Sequence, residues 1–252
     1  MRNIARGAAL AASLGLSLLW PEMSARADAP QTQPATAPAP LSVKFDGEVS
    51  EAEAAACFQT GRFSVLHASD VEPLPPEQAQ RVATYAFAAQ TNFEGNDCLY
   101  VAFVCLDPKL SDLVVRYAND DIRVAQDDSV EFFIDIDGDR NEYHQLVVNA
   151  GGQFYALTCG RGRGFGGPRW DCGAKVKVNI NRDAGNWSCE ILIPLKSFPT
   201  LPRKGAKVPV NFCRNFRGQL NNPGVIQQTW SVFCGAGGNY HRPDLFGVME
   251  WK

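Results

Sequence analysis

The strongest constraint on this chain is a run of two-residue alternation between Gln126 and Asn149, QDDSVEFFIDIDGDRNEYHQLVVN. Val130, Phe132, Ile134 and Ile136 alternate with Ser129, Glu131, Phe133 and Asp135, which is the period of a strand and not of a helix. Asp137-Gly138-Asp139 supplies turn chemistry, because glycine accepts positive φ and aspartate caps its own backbone. Tyr143 to Asn149 then reads as the returning antiparallel strand, with Leu146 and Val148 on one face and Gln145, Val147 and Asn149 on the other. Folding about Gly138 sets Glu131 across from the Gln145–Val147 region. A carboxylate and an amide then share one face.

The same period recurs along the chain. Cys98 to Leu106 is a continuous apolar run between turn signals, as expected of a strand buried on both faces. Gln153 to Thr158, Ala174 to Ile180, Trp187 to Pro194, Val208 to Asn215, Gln228 to Phe233 and Phe246 to Trp251 supply further strands. Glu77 to Gln90 carries either a short helical piece or an edge strand over Ala83–Ala89. Many short strands separated by turns predict an all-β fold, a two-sheet antiparallel β-sandwich of the immunoglobulin or jelly-roll kind. Trp187 and Trp230 alternate with polar neighbours and are assigned to the core, and Trp251 to packing.

The 252 residues divide in three. Residues 1–27 have the layout of a signal peptide: Arg2 and Arg6, an apolar stretch from Ala8 to Trp20, and Ala25-Arg26-Ala27 at the cleavage position. That stretch is shorter than the roughly 20 residues of a membrane-spanning helix. An exported, secreted or periplasmic protein is expected, beginning at Asp28 and free of the membrane after cleavage. Residues 28–41 are an Ala/Pro-rich linker, in which repeated proline forbids helix and central strand. Residues 42–252 form the folded domain. The formal charge of −3 becomes more negative once residues 1–27 leave with three arginines and one glutamate, so nucleic acid is a poor partner. Arg161, Arg163 and Arg169 lie in a Gly-rich loop and read as solvated. Eight cysteines in an exported chain point to at least two disulfides, with Cys159–Cys172 the best single pairing. The alternative is that several are small buried residues.

The blocks DDSVEFFIDIDGD, YHQLVVNAGG, WDCGAKVKVNI, WSCEILIPLKSF, VNFCRN and YHRPDLFGVMEW, in that order from about Phe45 onward, resemble the family 9 carbohydrate-binding modules. The resemblance implies an immunoglobulin-like sandwich, often with structural calcium, that grips sugar chain ends and is commonly joined to xylan- or glucan-degrading enzymes. Glu131 matches the strand glutamate that accepts sugar hydroxyls in that family. Tyr240 falls where the second tryptophan of a two-ring clamp stands, Ala125 where the first stands, and Val147 where an arginine approaches the sugar.

A pyranose offers an apolar face to an aromatic ring and its hydroxyls to planar polar groups. Tyr240, Trp170, Phe165 and Tyr155 are the candidate platforms, and Glu131, Gln145, Asn149, Arg214 and Asn215 the candidate polar set. Asp135, Asp137 and Asp139 place carboxylates at two-residue spacing, which suits calcium; a plain turn with solvated aspartates is the alternative. The function expected is non-catalytic binding of a poly- or oligosaccharide in carbohydrate catabolism, alone or with a glycoside hydrolase partner. Three alternatives stay open: a glycoside hydrolase using Glu131 and Asp128, a haem-binding sandwich drawing on His67, His144, His241 or Met249, and a cell-envelope interaction module.

Overall fold

The computed structural model describes residues 41–61, 63–67, 75–160, 167–217, 226–231 and 240–252. Residues 1–40, and with them the expected signal peptide and nearly all of the linker, lie outside the described residues, as do Arg161, Arg163, Phe165 and Cys234.

Two antiparallel sheets pack face to face, as the alternation predicts. The first joins β1 (Phe58–Gln59), β3 (Thr84–Phe93), β4 (Asn96–Leu106), β9 (Asn186–Pro194) and β8 (Lys175–Asn181) in that order. The second joins β2 (Ser64–His67), β11 (Ile226–Thr229), β10 (Lys207–Phe216), β5 (Ser129–Ile134), β6 (Glu142–Asn149) and β7 (Phe154–Gly160), with β12 (Gly247–Glu250) paired to the start of β10. The apolar run at Cys98 is the central strand β4, lying between β3 and β9. The 77–90 region contains both alternatives, a helix at Pro76–Arg81 and then β3, which is an interior strand of its sheet and not an edge.

Between the sheets, Leu99, Val101 and Phe103 of β4 meet Phe132, Ile134, Leu146 and Phe212 of the larger sheet. Trp187 and Trp251 belong to this core, and Trp230 packs against it, edge-on to Phe58 and Phe212. The outer face of the smaller sheet is covered by the segment 41–57. Leu41, Phe45, Ala54 and Cys57 lie over Phe87, Tyr100, Ala102 and Leu192. The segment contains one helical turn and a half, α1 (Glu51–Ala56), started by a capping box between Ser50 and Glu53. It is pinned where Glu190 accepts from Gly47 N at 2.6 Å and from the Tyr100 hydroxyl at 2.9 Å, and where the Ser188 hydroxyl donates to Gly47 O. Gly47 has φ +95°, and a Cβ there would lie 2.8 Å from the Val178 carbonyl carbon, so glycine alone fits.

The disulfide expectation is corrected. Cys57, Cys98, Cys105, Cys159, Cys172 and Cys189 are buried free thiols. Cys159 belongs to a cluster on the outer face of the larger sheet with Phe133 and Tyr143, whereas Cys172 is in the core between the sheets. The sheet itself separates the two sulfurs. Burial pushes the thiols of Cys57, Cys105 and Cys159 up to about 12, so they pack as neutral small apolar groups.

Candidate functional site

The register places Glu131 opposite Val147 on β6 and opposite Cys213 on β10. Counting by twos, the outer face of the larger sheet presents Glu131 and Phe133, then Gln145 and Val147, then Tyr155 and Leu157, and on the other side Cys213 and Asn215. The Glu131 carboxylate accepts from Asn215 Nδ2 at 2.6 Å and from Gln145 Nε2 at 2.8 Å. Each amide is itself oriented. Asn215 Nδ2 also reaches Ser129 Oγ, and Cys159 Sγ donates to Gln145 Oε1. Burial pushes the Glu131 carboxyl above the usual carboxylate range, opposed by the two amide donors and by the charge of Arg217.

Tyr240 joins this face differently from the expectation. Its ring is 6% exposed and meets Phe133 edge-on at 6.4 Å, while its hydroxyl donates to the Arg214 carbonyl at 3.1 Å with Asn215 Oδ1 at 3.4 Å. It steadies β10 and Asn215 and is packed, not laid open as a platform. Beside it, His241 Nδ1 is 2.8 Å from the Tyr143 hydroxyl, and burial lowers its pKa to about 4. On the far side of Glu131, Val147, Val124 and Tyr155 form an apolar floor against which Ala125 and Tyr117 pack.

Three other candidates are engaged otherwise. Arg214 points between the sheets, fully buried, where it pairs with Asp107 at 3.2 Å and donates to the carbonyls of Leu106 and Val82. Trp170 is inside as well: its ring stacks on His144 at 4.4 Å and its Nε1 donates to Ser197 O. Asn149 shares the face of Glu131, but its Oδ1 closes the Gly151–Gln153 turn and its Nδ2 donates to Asp127, so it shapes the turn. The acids that precede the strand are structural too. Asp127 accepts from the main chain of Arg116 and Tyr117, and Asp128 from that of Val114 and Arg217. Both Asp128 oxygens are thus held by backbone amides, which leaves it no part as the partner of Glu131 in glycoside cleavage. His144 under Trp170, His241 on Tyr143 and Met249 in the core are likewise engaged in packing. The His67 side chain is not among those described.

At the end of the hairpin, carboxylate oxygens of Asp135, Asp137 and Asp139 lie within 4.8 Å of one another. Asp135 is buried and accepts from Gly138 N and Arg140 N; Asp139 accepts from Asn141 N and Glu142 N. Burial first, and then Asp137 as a neighbour, push the Asp135 carboxyl up to about 6. An all-oxygen set with crowded negative charge fits a hard divalent cation.

A charged side chain that sequence reasoning did not single out, Arg217, donates from Nη2 to the Ala125 carbonyl at 2.9 Å. It follows β10 by one position and has the parity of Asn215, which is the signal that would have found it.

A model of carbohydrate-binding family 9 matches residues 83–251, starting later than the block resemblance from Phe45. No curated protein matches the sequence. Among solved structures, a putative carbohydrate-binding protein from Bacteroides uniformis superimposes with TM-score 0.56 at 15% identity, covering 75% of this chain and 86% of the other. A family 9 module from Caldicellulosiruptor kristjanssonii in complex with cellotriose gives TM-score 0.53 at 19% identity over 84% of this chain and 90% of that one. The same module in complex with glucose gives the same score and identity, with 92% of that chain covered. With the family model spanning both sheets and the Glu131 face, this chain belongs to carbohydrate-binding family 9.

Proposed function

We propose that the protein binds a saccharide without cleaving it, on the outer face of the larger sheet centred on Glu131. The observation that carries this reading is the buried Glu131 carboxylate, held on both sides by side-chain amides that are themselves tied down. Such a group is a fixed acceptor for sugar hydroxyls, and its order is set before the ligand arrives. The Caldicellulosiruptor complexes with cellotriose and glucose support a gluco-configured oligo- or polysaccharide as the ligand class. Ala125 leaves no ring at one side of the face, and Tyr240 is packed, so binding is weak, with dissociation constants of about 10 μM or above.

The remainder of the reading rests on the sequence. The signal-like residues 1–27 and the Ala/Pro-rich segment 28–41 support a secreted or periplasmic protein acting in carbohydrate catabolism, on its own or beside a glycoside hydrolase. The convergent Asp135, Asp137 and Asp139 support a structural calcium that holds the hairpin turn and draws Asp135 into its charged form.

Titration calorimetry with cello-oligosaccharides tests the site. In Glu131→Gln the charge-assisted acceptor becomes a neutral one, and the loss of about 1–3 kcal/mol weakens binding by roughly 5- to 150-fold. A folded variant that keeps wild-type affinity overturns the assignment.

A further inference from the structure

Arg217, one residue beyond β10, differs from the buried Arg214 of that strand in what it touches. Arg214 spends both Nη groups on the Asp107 carboxylate, two carbonyls and the Thr84 hydroxyl, and its buried Nε, like that of Arg217, meets no acceptor. Arg217, half-buried, gives one Nη2–H to the Ala125 carbonyl at 2.9 Å, has no acceptor for its buried Nε, and forms no ion pair among the described residues. A guanidinium has five N–H donors in a fixed planar fork, so most of this one is unspent. Removing a cation from water without pairing it is unfavourable, and burial accordingly lowers its pKa. Its location is equally specific. Its main-chain N–H donates to Asp128 Oδ1, and it has the parity of Asn215, which holds the Glu131 carboxylate; the charges of Asp128, Arg116 and Glu131 act on it, and its own acts on the Glu131 carboxyl. The carbonyl that anchors it belongs to Ala125, the position where no ring stands.

We propose that Arg217 is a ligand-contacting residue of the Glu131 face, donating to a saccharide oxygen while a neighbouring hydroxyl of the same sugar donates to Glu131. This rests on the saccharide reading above and adds to it the donor half of the site. A carboxylate alone accepts; a vicinal pair of sugar oxygens is read better by one acceptor and one donor, because each hydroxyl can then both give and receive. Arg217 thus occupies the role of cationic donor from the end of β10, on the opposite side of Glu131 from Val147 of β6. The face selects sugars by the position of one acceptor oxygen.

The test is a cycle that crosses protein variants with ligand variants. Wild type, Arg217→Met, Arg217→Lys and Glu131→Gln are titrated with cellotriose, glucose and the set of monodeoxyglucoses, and their melting temperatures are recorded. Arg217→Met is expected to weaken cellotriose at least tenfold with a melting temperature within a few degrees of wild type, and Arg217→Lys to restore part of the loss. One monodeoxyglucose should bind wild type weakly and yet lose nothing further in Arg217→Met, because the contact is already absent. If Arg217→Met weakens every sugar by the same factor, Arg217 only supports the loop through Ala125 and the inference is overturned. It is also overturned, with the site itself intact, if Glu131→Gln loses binding and Arg217→Met does not. Failure of wild type to bind any of these sugars, or binding that Glu131→Gln leaves unchanged, overturns the underlying site and this inference with it.

Discussion

His241 makes the fold sensitive to mild acid in a way that one substitution isolates. Its ring meets Phe133 edge-on at 5.4 Å and its Nδ1 faces the Tyr143 hydroxyl at 2.8 Å, and burial lowers its pKa from 6.5 to about 4. The unfolded chain takes up this proton near the ordinary value, the folded chain only near 4. Between those values the unfolded state holds more protons, so stability falls as pH drops through that window and levels off below it. At about 1.4 kcal/mol per pH unit the shift corresponds to about 3 kcal/mol, and partial exposure of the ring reduces this to about 2. Glu131, Asp128, Asp107, Glu190 and Asp135 have raised folded values and act with the opposite sign, gaining stability as the pH falls. The wild-type curve is their sum, and the difference from His241→Phe removes all but the histidine. At pH 7 the variant should be about 1–2 kcal/mol less stable, since the Tyr143 hydroxyl loses its hydrogen-bond partner. Near pH 4 it should equal or exceed wild type. Urea denaturation followed by tryptophan fluorescence at a series of pH values measures this directly. Parallel curves for the two proteins from pH 7 to pH 4 would refute the argument.

Two further outcomes are expected. Calcium added after chelation should raise the melting temperature of wild type, and Asp135→Asn with Asp139→Asn should abolish the rise; no response in wild type removes the calcium proposal. Titration of thiols in unfolded, unreduced protein should find at least six, because Cys57, Cys98, Cys105, Cys159, Cys172 and Cys189 are free, and a count of four or fewer would show pairing that this fold does not contain.

The hairpin was legible because alternation and turn chemistry agreed: the Glu131 face and its sharing with Gln145 follow from period alone, and the buried centre at Cys98–Leu106 from its continuous apolar run. Parity also carried information that went unused. Arg214 and Asn215 are adjacent on one strand and cannot share a face, yet both read as polar candidates; the pairing of Cys213 with Glu131 decides for Asn215 and thereby for Arg217. Trp170 was not legible at all. It lies between strands, and what buries it is His144 and the Ser197 carbonyl, contacts distant in sequence that no local pattern encodes. Tyr240 was placed on the correct side, but its packing against Phe133 depends on how the chain returns over β10. The segment 41–57 was not legible as part of the core, because its apolar alternation is only Leu41, Val43 and Phe45 and the rest of its fit is set by single groups such as Gly47 and Glu53.

That segment also sets the direction from which the domain can be held. Leu41 rests on the outer face of the smaller sheet, and Glu131 lies on the outer face of the larger one, with the whole intersheet core between them. A bead, a dye or an enzyme joined ahead of Leu41 therefore begins on the back of the sandwich, about two sheet thicknesses from the candidate site. Immobilised in that way, the domain would turn its Glu131 face outward to an insoluble polysaccharide, and a bulky fusion would not shade it.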